Sequence, residues 1–238
     1  MDSNFKKDFK EGLRGGIAIG VGYFAVSFSF GILAVAGGLS VFQALLISMT
    51  NVTSAGQFAG LTIITSMGSM AEMALTQLVI NMRYALMSFS LSQKIAPEAG
   101  GIKRSIMAFT NTDEIFAVAS GRKEKVTFAY MEGLSLAPFI GWAGGTLFGA
   151  VAGEILPAFL CNALGIALYS MLISIVMPSF ADEKSVRFAV IVSVLLSLAI
   201  TYIPVLSGIS SGFAIVICTV VASCLAALIF PVSEEETN

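Results

Sequence analysis

Apolar residues dominate the chain in long blocks. Uncharged runs cover residues 15 to 38, 41 to 66, 158 to 177 and 209 to 230, and 186 to 203 approaches the same length with Arg187 near its start. Segments 70 to 93 and 126 to 153 are as long but carry charges. About 20 apolar residues suffice for a helix to cross the hydrocarbon core of a bilayer. None of the runs alternates with a period of two, and a lipid-exposed backbone must satisfy its own hydrogen bonds, so the runs predict helices. The expected fold is an all-α polytopic membrane helix bundle of about six or seven transmembrane helices, with at least one broken or re-entrant segment.

The break is predicted inside 41 to 66, whose middle reads NVTSAGQFAG. Asn51, Thr53, Ser54, Gly56 and Gln57 interrupt the apolar run and divide it into two half-length pieces. Freed backbone groups at membrane depth are tolerated only against protein or a water-filled cavity, so the break marks a candidate site. Charge placement leads to the same segment. Twelve of the 13 basic residues fall in three clusters: Lys6 to Arg14, Lys94 to Lys125, and Lys184 with Arg187. All three are expected on the cytoplasmic side. Three apolar segments separate the first two clusters, and an odd number of crossings cannot return the chain to the same side. Either 41 to 66 re-enters, or it crosses and 105 to 119 crosses as well. Both solutions leave both termini cytoplasmic.

Composition agrees, with 56% hydrophobic and 12% charged residues in 238 and a mean hydropathy of +0.89. No soluble domain fits the remainder. The expected organisation is a cytoplasmic N-terminus over 1–14, a single transmembrane domain over 15–230 and a cytoplasmic acidic tail over 231–238. The first apolar run exceeds the 7 to 15 residues of a signal-peptide core, so it is read as a mature helix. The net charge of −2 and the lack of a basic block give no reason to expect nucleic acid. Cys161, Cys218 and Cys224 lie in apolar segments without CxxC spacing and read as buried packing residues. The chain has no histidine, which removes Ser-His and Cys-His nucleophile pairs and histidine-based metal sites. No catalytic residue, metal or cofactor is therefore expected.

The thirteenth basic residue, Arg83, sits alone in TQLVINMRYALMSFS. It lies roughly 15 Å along a helix from Lys94, about half the thickness of the core and beyond the reach of a snorkelling side chain. Arginines at that depth face the interior of a bundle and mark solute or ion paths, or else form structural ion pairs. On the same helix Gln77, Asn81, Tyr84, Ser88 and Ser92 share one face, and Arg83 is expected nearly opposite, with Glu72, Thr76 and Ser90. The stretch FTNTDEIFA at 109 to 117 reads as a half-helix or interfacial helix. Asp113 or Glu114 is the expected counter-charge for Arg83 and a candidate proton carrier; both also suit the first turn of a helix capped by Thr112.

Small residues recur at every fourth position through Gly133, Ala137, Gly141, Gly145, Gly149 and Gly153, a helix-packing pattern within the chain or toward another subunit. CNALGIALYS at 161 to 170 is a second mildly polar stretch. Like 41 to 66, it follows a glycine-rich helix, a faint sign of an internal repeat.

SAGQFAG at 54 to 60, INMRYALMSFSLS at 80 to 92, FTNTDEIFA, GWAGGTLFGAVAG and LGIALYSMLISIVMP, in that order, resemble the AzlC family, large subunits of bacterial branched-chain amino acid exporters. The resemblance spans roughly residues 12 to 230. It implies a multi-pass inner-membrane permease, not an enzyme, that exports valine-like amino acids with a small hydrophobic AzlD-type subunit. Gln57, Asn81, Arg83, Asp113 and Glu114 fall in its pattern, whereas Tyr84 and a missing proline in the first span depart from it. Asn51, Thr53, Gln57, Asn81 and Arg83 are thus candidate substrate contacts, Asp113 and Glu114 candidate coupling groups, and Gly141, Gly145, Gly149 and Gly153 packing positions. The alternative is a channel or a non-transporting assembly subunit in which Arg83 forms a structural bridge.

Overall fold

The computed structural model describes residues 3–155, 157, 159, 173, 176, 177, 179–206 and 208–231. The stretch at 161 to 170, including Cys161, lies outside the described residues. Among those described the protein is helical, with one isolated bridge between Ile95 and Val126 and no strand. Its named helices are α1 (Ser3–Ala36), α2 (Val41–Thr50), α3 (Ser54–Thr65), α4 (Met70–Ser92), α5 (Gly101–Phe109), α6 (Asp113–Gly121), α7 (Phe128–Ile155), α8 (Lys184–Tyr202) and α9 (Ser211–Ile229). Four of them, α1, α7, α8 and α9, are long and apolar enough to cross a membrane. A helical membrane bundle is the architecture that fits. The chain divides into two compact units, one of Met1–Phe58 with Asn81–Gly165 and one of Ala59–Ile80 with Ile166–Asn238.

The first unit is organised by α1 and α7, which run parallel. Gly12 meets Leu134, Gly16 meets Leu134 and Pro138, and Gly31 meets Thr146 and Ala150. The small-residue row of α7 supplies the other side: a Cβ added at Gly141, Gly145 or Gly149 would fall on the carbonyl oxygens of Gly20, Phe24 and Phe28. Backbones approach this closely only where side chains are absent. Glu11, Gly12, Leu13, Ile19 and Gly20 recur at the same spacing as Glu132, Gly133, Leu134, Ile140 and Gly141. Gly141 packs on Gly20 itself, so at least one position touches its own counterpart. That is the contact a two-fold axis between parallel helices produces, and parallel repeats of this kind occur in transporters.

Two interrupted segments belong to the same neighbourhood. The run 41 to 66 forms α2 and α3 with a break at 51 to 53, and the charged stretch near 113 forms α5 and α6 with a break at 110 to 112. Thr50-Asn51 stands at the first break and Thr110-Asn111 at the second. At the polar end of this unit Met107, Ile115, Ala119, Val126, Met131 and Leu134 are fully buried in one cluster.

Beside that cluster lies Arg122, whose side chain is 5% exposed. Its Nη2 donates to Asp8 at 3.1 Å, Glu11 at 3.3 Å and Glu124 at 3.1 Å, and its Nη1 donates to the Lys125 carbonyl at 3.2 Å. The guanidinium also stacks 4.1 Å from the Tyr130 ring centre, and Asp8 accepts a further bond from Thr127. These bonds tie the polar start of α1 to the turn before α7.

In the second unit, Glu72 is buried and its Oε1 accepts the Gly212 N–H at 2.7 Å, while Thr76 donates to the Gly212 carbonyl at 3.2 Å. A carboxylate there satisfies the amino end of α9 and complements its dipole. Glu72 and Thr76 are thus occupied by helix packing. Cys218 is buried, but Cys224 is exposed and so differs from the packing role expected of it.

Candidate functional site

Each residue of the second break is fastened to a different helix. Thr110 donates to Ser135 of α7 at 2.9 Å, and Asn111 donates through Nδ2 to Ser88 of α4 at 3.1 Å. Tyr23 of α1 shares its hydroxyl proton between Thr112 Oγ1, 2.6 Å away, and the Glu114 carboxylate. Thr112 stands at the N-cap position of α6, but its hydroxyl makes no capping bond. The amino end of α6 therefore depends on Asp113 and Glu114 in its first turn for compensation of its dipole.

The first break approaches the same aromatic pair. Val52 packs with Tyr23 and Trp142, and the two rings meet edge to face at 5.2 Å. Asn51 ends α2, with its N–H donating to the Ile47 carbonyl at 2.9 Å. Gln57, 1% exposed, donates from Nε2 to Ser48 at 2.7 Å, and Ser48 bonds to Thr146 of α7. Gln57 thereby splints the break to two helices, while its Oε1 and the Thr53 hydroxyl have no hydrogen-bond partner. The Trp142 indole N–H is likewise buried without an acceptor. Unsatisfied buried polar atoms are uncommon and costly, so a cluster of them around two helix breaks calls for a ligand or water.

Arg83 completes the site. Its Nη2 lies 2.9 Å from Asp113 Oδ2 and donates to the Tyr84 hydroxyl at 3.1 Å. Arg83 and Tyr84 are successive residues, and the sequence reading sets them on nearly opposite faces of α4. The long arginine stem instead folds over the Tyr84 ring, 4.9 Å from its centre. Tyr23 bonds to Glu114, Arg83 bonds to Asp113 and Tyr84, and the two acids are successive residues in the first turn of α6, so two acids, two phenols and one guanidinium gather at one helix end. The Arg83 and Asp113 side chains are 50% and 41% exposed. An arginine near the middle of α4, paired with the first residue of α6, is not stable against hydrocarbon and needs water, solute or protein on its open side. Asn81, partly buried on α4, precedes Arg83 by two positions.

Among the described residues no group of three or more His, Cys, Asp or Glu side chains is arranged to hold a metal ion. The arrangement offers one fixed cation, two carboxylates and several hydroxyl and amide groups. It suits a dipolar solute.

The AzlC protein family matches residues 18–156, a span that contains both breaks, Tyr23, Arg83, Asp113, Glu114 and Trp142. The chain belongs to the AzlC family. It is similar to the inner membrane protein YgaZ of Escherichia coli K12, at 29% identity over 230 residues, 93% of this chain and 90% of that protein. It is also similar to an uncharacterized membrane protein of Archaeoglobus fulgidus, at 31% identity over 184 residues, 76% of this chain and 80% of that protein. A third relative is an uncharacterized membrane protein of Helicobacter pylori 26695, at 27% identity over 153 residues and 66% of its length. No solved structure matches the chain. AzlC membership, membrane-protein relatives and long apolar helices make this a multi-pass membrane protein and support a role in membrane transport.

Sequence reasoning missed three residues of this AzlC site: Tyr23, Thr112 as a bond acceptor, and Trp142. Trp142 is the chain's one tryptophan, and a lone indole inside a glycine row was the available signal. Tyr23 gave none, because an aromatic residue in an apolar helix reads as packing.

Proposed function

We propose that this AzlC-family protein exports branched-chain, valine-like amino acids across the bacterial inner membrane, acting as the large subunit beside a small hydrophobic AzlD-type partner. Both termini face the cytoplasm in this reading. The observation that supports it is the half-exposed Arg83–Asp113 pair at the head of α6, next to two helix breaks with unpaired polar atoms. Arg83 receives the substrate carboxylate, for which the guanidinium fork is suited. Asn51, Thr53, Gln57 and Asn81 orient the ammonium, with backbone groups freed at the break adding polarity, as discontinuous helices do in other carriers. Asp113 competes with the substrate carboxylate for Arg83, and Asp113 or Glu114 takes up a proton when the substrate displaces it. Substrate and coupling are linked in this way through one guanidinium.

The glycine row, expected to pack within the chain or toward another subunit, is taken up within the chain, against α1. The test is export of labelled valine from loaded proteoliposomes that contain this chain and its small subunit. Loss of a charge-assisted contact of about 1.5–3 kcal/mol predicts that Arg83→Ala, at normal abundance, slows export by about tenfold or more. Unchanged export overturns the reading.

A further inference from the structure

A separate cavity of about 160 Å³ lies in the first unit, lined by Ser88, Leu91, Ile95, Arg104, Met107 and Asn111 among others. It belongs to none of the contacts made by Arg83. Asn111 is 3% exposed; its Nδ2 is held by Ser88, and its Oδ1 has no hydrogen-bond partner. Arg104 is exposed at the rim, where its Nε donates to the Ala99 carbonyl at 2.9 Å, steadying the guanidinium and leaving its Nη groups for a ligand. The other walls are mainly aliphatic, with Leu91, Ile95 and Met107 buried. One cation, one buried carbonyl acceptor and a small apolar chamber are the complement of an α-amino acid with a short aliphatic side chain. A cavity of about 150 Å³ accepts benzene, so this one accepts the carbon skeleton of valine with the carboxylate left at the rim.

We infer that this cavity is a second amino acid site, in which Arg104 holds the carboxylate, Asn111 Oδ1 accepts from the ammonium, and Leu91, Ile95 and Met107 enclose the side chain. The inference rests on the transport reading and deepens it. Asn111 is the middle residue of the second break, and its neighbour Thr112 is held by Tyr23 beside Asp113 and Arg83. A solute in the cavity therefore waits one residue away from the central polar group. In the topology in which 41 to 66 re-enters, the basic connection that contributes Arg104 is cytoplasmic, which makes this the entry side for an exported solute.

The experiment is equilibrium binding of labelled L-valine to the full chain with its small subunit in nanodiscs, with isobutylamine and isovalerate as competitors. Wild-type protein is expected to bind valine saturably, with each competitor weaker by about tenfold or more, since each lacks one charge-assisted contact. In an Arg83→Ala background, which silences the central site, Ala108→Phe at another wall residue of the cavity and Arg104→Gln at an exposed side chain are each expected to weaken the remaining valine binding by at least about tenfold. Arg104→Lys is expected to restore part of it. Valine affinity unchanged in Arg104→Gln and in folded Ala108→Phe overturns the second site and leaves the transport reading standing. Isovalerate binding as tight as valine overturns the zwitterion assignment. No saturable binding of valine by the wild type overturns both readings.

Discussion

Arg122 and Arg83 are both guanidiniums in the same compact unit, and their surroundings differ in kind. Arg122 is 5% exposed, faces three carboxylates, a backbone carbonyl and an aromatic ring, and joins the start of α1 to the turn before α7. Arg83 is half exposed and has one carboxylate and one phenol. A buried cation with a surplus of opposite partners is a fixed structural joint, because its removal takes away several charge-assisted hydrogen bonds at once and leaves three like charges facing one another. A half-open pair with one partner gains little from that partner alone and keeps part of its hydrogen-bonding capacity for something else. Arg122 therefore holds the fold together, whereas Arg83 keeps the open side that its proposed role requires.

Substitutions separate the two roles. Arg122→Met is expected to have the largest effect, about 2–4 kcal/mol of destabilisation from the lost charge-assisted hydrogen bonds and the lost contact with Tyr130, read as loss of folded protein in a detergent thermal-stability assay. Retention of wild-type stability would place Arg122 in the same class as Arg83. Arg83→Gln should do the reverse: stability within about 1 kcal/mol of wild type, since an exposed ion pair contributes little, and valine export lowered by about tenfold or more. Tyr23→Phe removes the hydroxyl that links α1 to Thr112 and Glu114. It is expected to cost about 1–3 kcal/mol through the unpaired acceptors it leaves, and to reduce export more than abundance. Glu124→Gln should have the smallest effect, under about 1 kcal/mol, because the Glu124 side chain is 76% exposed and Arg122 keeps two other carboxylates.

The fold was more legible in the sequence than the site. Apolar runs announce membrane helices by length alone, and the first break was visible because Asn51, Thr53 and Gln57 interrupt an uncharged stretch. The second break was half legible. Its acids marked a helix start and Ser88 was visible as part of a polar helix face, but the other two anchors, Ser135 and Tyr23, lie on distant segments and are ordinary residues where they stand. The glycine row revealed that a helix packs closely on α7. It did not reveal that the partner is α1 in parallel, although the repeated Glu-Gly-Leu and Ile-Gly pairs held that information. Arg122 was read as one charge in a cytoplasmic cluster, since burial by residues more than a hundred positions away leaves no local trace. The relation of Arg83 to Tyr84 was misjudged because helix geometry fixes the direction of Cβ, not where a long flexible side chain ends.

The most direct measurement exchanges the charges of the Arg83–Asp113 pair. An Arg83→Asp, Asp113→Arg double variant keeps the ion pair but moves the cation from α4 to the head of α6. Valine counterflow in proteoliposomes, normalised to folded protein, is predicted to stay below about a tenth of the wild-type rate, because the guanidinium no longer meets the substrate carboxylate where the break presents it. Counterflow restored to the wild-type rate by the exchange would contradict the account and make Arg83 a structural partner like Arg122.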